Sequence, residues 1–411
     1  MQVIVMIELT NYVSKIIHND NNNSYSILTY LDIDDSLTEE YIINYINEII
    51  KNNPILTQAI IENCNALFLN KVIIPNISEY YKIEYTKTEN FDDYISDMLN
   101  KDFNAELKWM CLWCIDKDNK NTRFYFKIHH AYVDGYQLIK ILTSPFQNND
   151  ITKQFKRTTD TYGTIYYYLI GTVVLILINI KFCINILLNN LYLWFNKTEE
   201  PSKNKEDTDY ILCKNIDFNE IKTFTKKYKI TVNDFLYSLM IKTDKLYRKE
   251  EKILSTTSPI NISGTTQSNN SCPIFNIINN SYDNYTLLNK VHSVFNNFKY
   301  SLFIPLLSAI INIAMQYIPL DIMSICYSDV LNNTDYIFSN IIGPSIKDVK
   351  FKITDIHFLT TSKTKEIIYN IISCENNINI ICSFKKNVIE DKERFEKCIY
   401  EAYDSLITTV Y

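Results

Sequence analysis

The chain has 411 residues, of which 46% are hydrophobic and 13% aromatic, and a formal net charge of −6. That length exceeds what one core usually holds, so two subdomains are expected, and the acidic balance gives no reason to expect a nucleic-acid partner. With only 5 Gly, a glycine-rich phosphate loop is excluded as the organising device, and the 10 Cys are scattered without zinc-ligand pairs.

From the N-terminus, MQVIVMIELT lacks a basic leader region, so no signal peptide is expected. An Asn-rich loop, Asn19–Asn23, precedes a strand-like run, SYSILTYLDID. Ser36-x-x-Glu39 reads as a capping box, with Ile42, Ile46, Ile49 and Ile50 following at helical spacing. Lys51-Asn52-Asn53-Pro54 stops that helix. Alternation returns at Val72–Ile74 and Tyr81–Tyr85, a short helix is expected over Phe91–Leu99, and Leu107-Lys108-Trp109 leads into a strand, Met110–Ile115. Cys111 and Cys114 form a CxxC inside that strand, where residues three apart face opposite sides, so they read as reduced intracellular thiols.

The densest polar chemistry lies in Arg123–Leu142, RFYFKIHHAYVDGYQLIKIL. Phe124, Phe126 and Ile128 alternate with Tyr125 and Lys127 as in a strand, and Leu138, Ile139 and Leu142 fall at helical spacing. Between them stand His129, His130, Asp134 and Gly135. Metal binding by the two His and the Asp needs a third ligand, and His18, His292 and His357 are each isolated in sequence, so no metal is expected.

Thr161–Ile180 carries no charged residue, and after Lys181 a second uncharged stretch runs over Phe182–Asn196. About 20 apolar residues can cross a bilayer core, and tyrosines at one end with Tyr192 and Trp194 at the other suit its interfaces. One membrane-embedded segment or shallow hairpin is expected, the alternative being a buried helix. Lys197–Asp209 is a charged linker.

In the C-terminal half, a strand over Tyr210–Ile216 precedes a helix near Asn219–Lys227. Thr231 caps a second helix that begins Val232-Asn233-Asp234. Ser258-Pro259-Ile260-Asn261-Ile262-Ser263 reads as a strand, Gly264–Cys272 as a loop and Leu302–Ile318 as an apolar helix, membrane-facing or tunnel-lining. Phe338-Ser339-Asn340-Ile341-Ile342-Gly343-Pro344 is a strand and turn. Glu366–Ser373 and Ile378–Phe384 form a hairpin, and Glu390–Thr408 is the final helix.

His129-His130-Ala131-Tyr132-Val133-Asp134-Gly135 resembles the HHxxxDG motif of the CoA-dependent acyltransferase superfamily at all four fixed positions. Asn53-Pro54-Ile55-Leu56, Leu107-Lys108-Trp109, Asn233-Asp234, the Pro259 strand and Ser339-Asn340-x-x-Gly343-Pro344 are similar, in that order, to motifs of the wax ester synthase/diacylglycerol acyltransferase family. Leu107-Lys108 stands where that family has Pro-Leu, and Ile342 where it has Pro. The resemblance implies an α/β fold of two chloramphenicol acetyltransferase-like subdomains with the active site in the cleft between them. Expected boundaries are 1–160 and 210–411, with 161–209 the membrane segment and linker.

The resemblance further implies His130 as general base, His129 in support, Asp134 holding the loop against a basic residue, and Gly135 leaving room for close approach of substrate or backbone. Asn233, Asp234, Ser339, Asn340 and Gly343 would stand at the substrate cleft or subdomain interface. No cofactor would be bound. Acyl-CoA would be co-substrate, fatty alcohol or diacylglycerol the acceptor, and membrane lipid a partner. The site would face the cytosol on endoplasmic reticulum or lipid droplet in a eukaryote. Alternatives are an acyltransferase for a soluble alcohol or amine and a catalytically silent membrane scaffold; a condensation domain would need a carrier module.

Overall fold

The structure, a computed structural model, describes residues 7–8, 25–63, 66–71, 77–103, 107–146, 172–173, 175–177, 207–214, 216–261, 271–300, 302–303, 306–307, 309–310, 313, 317–318, 333–344, 352–361, 366–374 and 377–409. Most of Thr161–Ile180, all of Phe182–Asn196, Val72–Ile74 and His18 lie outside them. Among the described residues no helix is long and apolar enough to cross a membrane.

In chain order the elements are β1 (Ile7–Glu8), β2 (Ser26–Ile33), α1 (Glu39–Asn52), β3 (Gln58–Asn63), β4 (Ala66–Lys71), β5 (Tyr81–Tyr85), α2 (Asp93–Asn100), β6 (Trp109–Asp116), β7 (Asn121–His129) and α3 (Gly135–Thr143). They continue with β8 (Thr208–Cys213), α4 (Phe218–Tyr228), α5 (Val232–Arg248), β9 (Ile253–Asn261), β10 (Ser271–Asn279), α6 (Asn284–Tyr300), β11 (Tyr336–Ile342), β12 (Ile353–Thr360), β13 (Ile367–Cys374), β14 (Asn377–Lys385) and α7 (Lys392–Ile407). Helix α1 begins two residues later than the sequence suggests. Its N-cap is Thr38, whose side chain accepts from the Tyr41 N–H, rather than Ser36.

Two large sheets carry the fold. One has the order β12-β2-β7-β6-β5 and the other β10-β9-β11-β13-β14-β8, beside a small sheet β1-β4-β3. The first sheet is buried on both faces. Ile42, Ile46 and Ile49 of α1 and Leu138 and Leu142 of α3 cover Phe124, Phe126 and Ile128. Ile95 and Leu99 of α2 cover Tyr30 and Tyr125 on the other face. Cys111 packs in the first layer and Cys114 in the second, on opposite sides of β6 as the strand period requires. Burial pushes the Cys114 thiol up to about 12 and Cys111 further still, so both stay protonated. The second sheet buries one face under α4, α5, α6 and α7.

One strand, β12, crosses between the halves 1–160 and 210–411. This strand comes late in the chain but pairs antiparallel with β2, with His357 opposite Tyr30, and forms the edge of the N-terminal sheet. Side chains from the C-terminal sheet hold it there. Asn379 Nδ2 donates to the Ile356 carbonyl (2.8 Å) and Ser383 Oγ to the Thr360 carbonyl (2.7 Å). The sequence period identifies a strand but not which sheet receives it. A second tie joins Asn100 at the end of α2 to Thr208 at the start of β8, by reciprocal bonds of 2.8 and 2.9 Å.

Candidate active site

β7 delivers the His pair. Its register opposite β2 ends at Ser26–His129, and the His129 N–H donates to the Lys108 carbonyl at 2.9 Å. The next amide, of His130, leaves the ladder and donates to Tyr25 O at 2.7 Å. The chain then turns into α3. His129 is buried and its Nδ1 accepts from the Ala131 N–H at 3.2 Å, bracing the turn from within.

His130 keeps some accessible surface while its Nδ1 is buried. Desolvation lowers its pKa below the ordinary 6.5. The Asp134 carboxylate acts more weakly in the other direction. The ring is therefore neutral at neutral pH.

Asp134 is the N-cap of α3. Its Oδ1 accepts from the Gln137 N–H (2.8 Å), and Gln137 Oε1 accepts from the Asp134 N–H (3.4 Å), a reciprocal capping box. The loop is thus organised through backbone amides. Asp134→Ala is expected to cost about 1 kcal/mol, read as a small drop in melting temperature, with turnover falling only as far as the loop loosens.

Gly135 lies under the other subdomain. A Cβ there would stand 2.4 Å from Ile341 Cδ1 of β11 and 4.0 Å from Phe358 of β12. The missing side chain makes room for the neighbouring strand, where the sequence suggested room for substrate or backbone. Gly343 is tighter. Its N–H donates to Ser373 O at 2.7 Å, and a Cβ would meet that backbone oxygen at 2.7 Å. Gly343→Val is expected to force the turn after β11 away from β13. Overpacking of this kind costs about 1–3 kcal/mol, measurable as a lower denaturant midpoint.

The structure brings the two C-terminal motifs together. Asn340 on β11 donates from Nδ2 to Asn233 Oδ1 at the start of α5. Asp234, beside Asn233, is fully buried. Its Oδ2 accepts from the Thr231 N–H (2.7 Å) and sits 2.7 Å from His292 Nδ1. His292 Nε2 in turn accepts from Asn296 Nδ2 at 3.0 Å. Ser339 lies half-buried on β11 opposite Asn370. Asn340 precedes Ile341, the residue packed over Gly135, so both motifs stand at the seam beside α3.

Asn53–Leu56 and Trp109 also meet. The Trp109 indole N–H donates to Leu56 O (2.9 Å), and its ring stacks between Tyr80 and Phe126 under the His strand. A groove of about 590 Å³ runs nearby, between Tyr81, Lys82, Lys101, Asp207 and Lys386; Trp109 lines it, but His129, His130, Asp134, Asn233, Asp234, Ser339 and Asn340 do not.

Sequence reasoning missed two arrangements. His292 and His357 are not isolated: the first bonds Asp234, and the second stacks on Tyr30 with its Nε2 3.4 Å from Asp355. Lys127, expected on the outer face of β7, is fully buried and donates to Leu99 O (2.8 Å) and Lys101 O (2.5 Å) at the C-terminal end of α2. An amine buried at a helix C-terminus is favoured by the dipole; a lone Lys in an apolar alternation was the available signal. Among the described residues no group of three or more His, Cys, Asp or Glu is arranged to hold a metal ion.

Two α/β subdomains, with a strand from the C-terminal half crossing into the N-terminal sheet, define the chloramphenicol acetyltransferase-like and condensation-domain fold. The chain superposes on the wax ester synthase/diacylglycerol acyltransferase from Marinobacter aquaeolei VT8 with a TM-score of 0.61 at 11% identity, covering 97% of this chain and 98% of that one. It is similar in fold to the trichothecene 15-O-acetyltransferase from Fusarium sporotrichioides (TM-score 0.65, 9% identity, 98% and 95% covered). The first condensation domain of the calcium-dependent antibiotic synthetase also matches (TM-score 0.60, 8% identity, 98% and 96% covered). No curated protein matches by sequence. Residues 272–407 match the family model of the WS/DGAT C-terminal domain.

Proposed function

We propose that the chain is an O-acyltransferase that moves a long-chain acyl group from acyl-CoA to a fatty alcohol or diacylglycerol, giving wax ester or triacylglycerol. What supports this reading is the neutral His130 imidazole on the turn that leads to Gly135, where α3 packs against β11, in a chain with a WS/DGAT C-terminal domain. An alcohol is a poor nucleophile at neutral pH and needs a base within hydrogen-bond reach. His130 takes the hydroxyl proton as the oxygen attacks the thioester carbonyl. The tetrahedral intermediate collapses with cleavage of the C–S bond, and the imidazolium returns the proton to the leaving thiolate. No acyl-enzyme and no metal are required.

Lipid extraction from cells expressing the wild type or His130→Ala tests the reading. New wax ester or triacylglycerol in the wild type alone is expected. Purified protein with radiolabelled acyl-CoA and a panel of alcohols separates the acceptors. Turnover only with soluble alcohols moves the assignment to a small-molecule acyltransferase, and none with any acceptor favours a scaffold.

A further inference from the structure

The turn that carries His130 rests on β2. Ser26 lies opposite His129 in the ladder, and the residue before it, Tyr25, supplies the carbonyl that takes the His130 N–H at 2.7 Å. That bond faces β7. The other edge of β2 at this level faces β12, whose regular pairing ends one step earlier, at Thr360 opposite Ile27. Thr361 continues the contact in an irregular way. Its N–H donates to the Ser26 carbonyl at 2.9 Å, as in an antiparallel pair. The reciprocal bond would take the Ser26 N–H to the Thr361 carbonyl. Here the Ser26 N–H goes instead to the side chain, Thr361 Oγ1, at 2.8 Å. Both residues are buried, so an acceptor lost at this point is not replaced by bulk water.

We propose that Thr361 is a positioning residue for the base: its hydroxyl fixes Ser26, and through the adjoining Tyr25 carbonyl it fixes the backbone from which the His130 ring projects. This role presupposes that His130 is the general base. The hold on Thr361 comes from the C-terminal sheet. Its neighbour Thr360 donates from Oγ1 to Asn370 Oδ1 (3.0 Å), Asn370 Nδ2 donates to Ser383 Oγ (3.0 Å), and Ser383 Oγ donates back to the Thr360 carbonyl (2.7 Å). Asn370 stands opposite Ser339 in the β11–β13 ladder. A chain of buried bonds therefore runs from the strand of the Ser-Asn motif through β12 to the His turn, and the C-terminal half sets the aim of a base carried by the N-terminal sheet. The aim matters because a displacement of about 1 Å at a reacting group can cost about 100-fold in rate.

The test is amide hydrogen exchange by NMR on the full-length chain with only its histidines isotope-labelled. The 5 His give five backbone signals, and His130→Gln identifies the one of interest. Thr361→Val keeps the shape and removes the acceptor. It should speed exchange at the His130 amide about tenfold, the effect of one buried hydrogen bond on local opening. The His292 amide, on α6, should exchange as in wild type. Turnover should fall about ten- to a hundredfold in kcat, with KM for acyl-CoA near wild type. Thr361→Ser, which keeps the hydroxyl, should restore both exchange and kcat. Thr361→Cys, whose thiol is a weak acceptor, should fall between Ser and Val, and it decides the matter if Thr361→Val does not fold. Wild-type exchange at His130 in Thr361→Val, or Cys equal to Ser, overturns the proposal. So does equal acceleration at His130 and His292, which marks a loss of stability everywhere, and so does a Ser variant that restores neither measure. Exchange confined to His130 in a chain that turns over no acceptor would leave the mounting of the turn in place and count against the acyltransferase reading.

Discussion

His130→Ala is expected to lose turnover by about 100- to 10,000-fold, the usual effect of removing a general base, while acyl-CoA affinity and melting temperature stay near wild type. His130 retains some accessible surface and its buried Nδ1 has no hydrogen-bond partner, so removing the ring leaves no partner unsatisfied. His129→Ala acts differently. That ring is buried and braces the Ala131 amide, so stability falls along with rate. Turnover in the wild type should decline as pH falls and the ring takes a proton. Desolvation sets the midpoint of that limb below the ordinary histidine value of 6.5. A midpoint above 6.5, a trapped acyl group on any Ser or Cys, or full activity in His130→Ala would each contradict this mechanism.

Arg123→Met is expected to give the largest loss of stability, about 3 kcal/mol, the lower end of the range for breaking a buried ion pair. The guanidinium is 12% exposed and joins Asp32 (Nε–Oδ1 2.5 Å) to Asp92 (Nη1–Oδ1 2.6 Å), with its carbon 4.7 Å over the Tyr30 ring. Lys214, just after β8, reaches Asp92 at 3.2 Å, so the network spans both subdomains. The lower figure follows from Asp92, which is 42% exposed and regains water when freed. Burial by itself would raise the Asp92 pKa, but Arg123 and Lys214 outweigh it and hold the carboxyl below 3.8. Its stabilisation is therefore present above 3.8 and is lost as pH falls through the lower folded-state value. Urea titrations should show a steeper acid loss in wild type than in Arg123→Met. Adding Asp32→Asn to the variant should recover part of the stability, because it removes the carboxylate left without its partner. A variant as stable as wild type would show that the network contributes nothing net.

Much of the architecture was legible in the chain because its period is local. Phe124, Phe126 and Ile128 mark a strand, Thr231 caps a helix as its side chain can reach the Asp234 amide, and Cys111 and Cys114 face apart by strand geometry alone. The HHxxxDG spacing likewise places a strand end, a turn and a helix cap within seven residues, so the position of His130 follows from sequence. Tertiary structure decided what depends on partners far away in the chain. A period of two cannot say that β12 leaves its neighbours to pair with β2, since that choice is made by Asn379 and Ser383 reaching across to its carbonyls. It cannot say that Lys127, in a polar position of an alternating strand, is buried, because only the end of α2 supplies the carbonyls that make burial tolerable. Nor does sequence place Asn340 on Asn233 or His292 on Asp234, which meet only when α5 and α6 pack with β11, or Ile341 in the space left by Gly135, which needs the two sheets side by side.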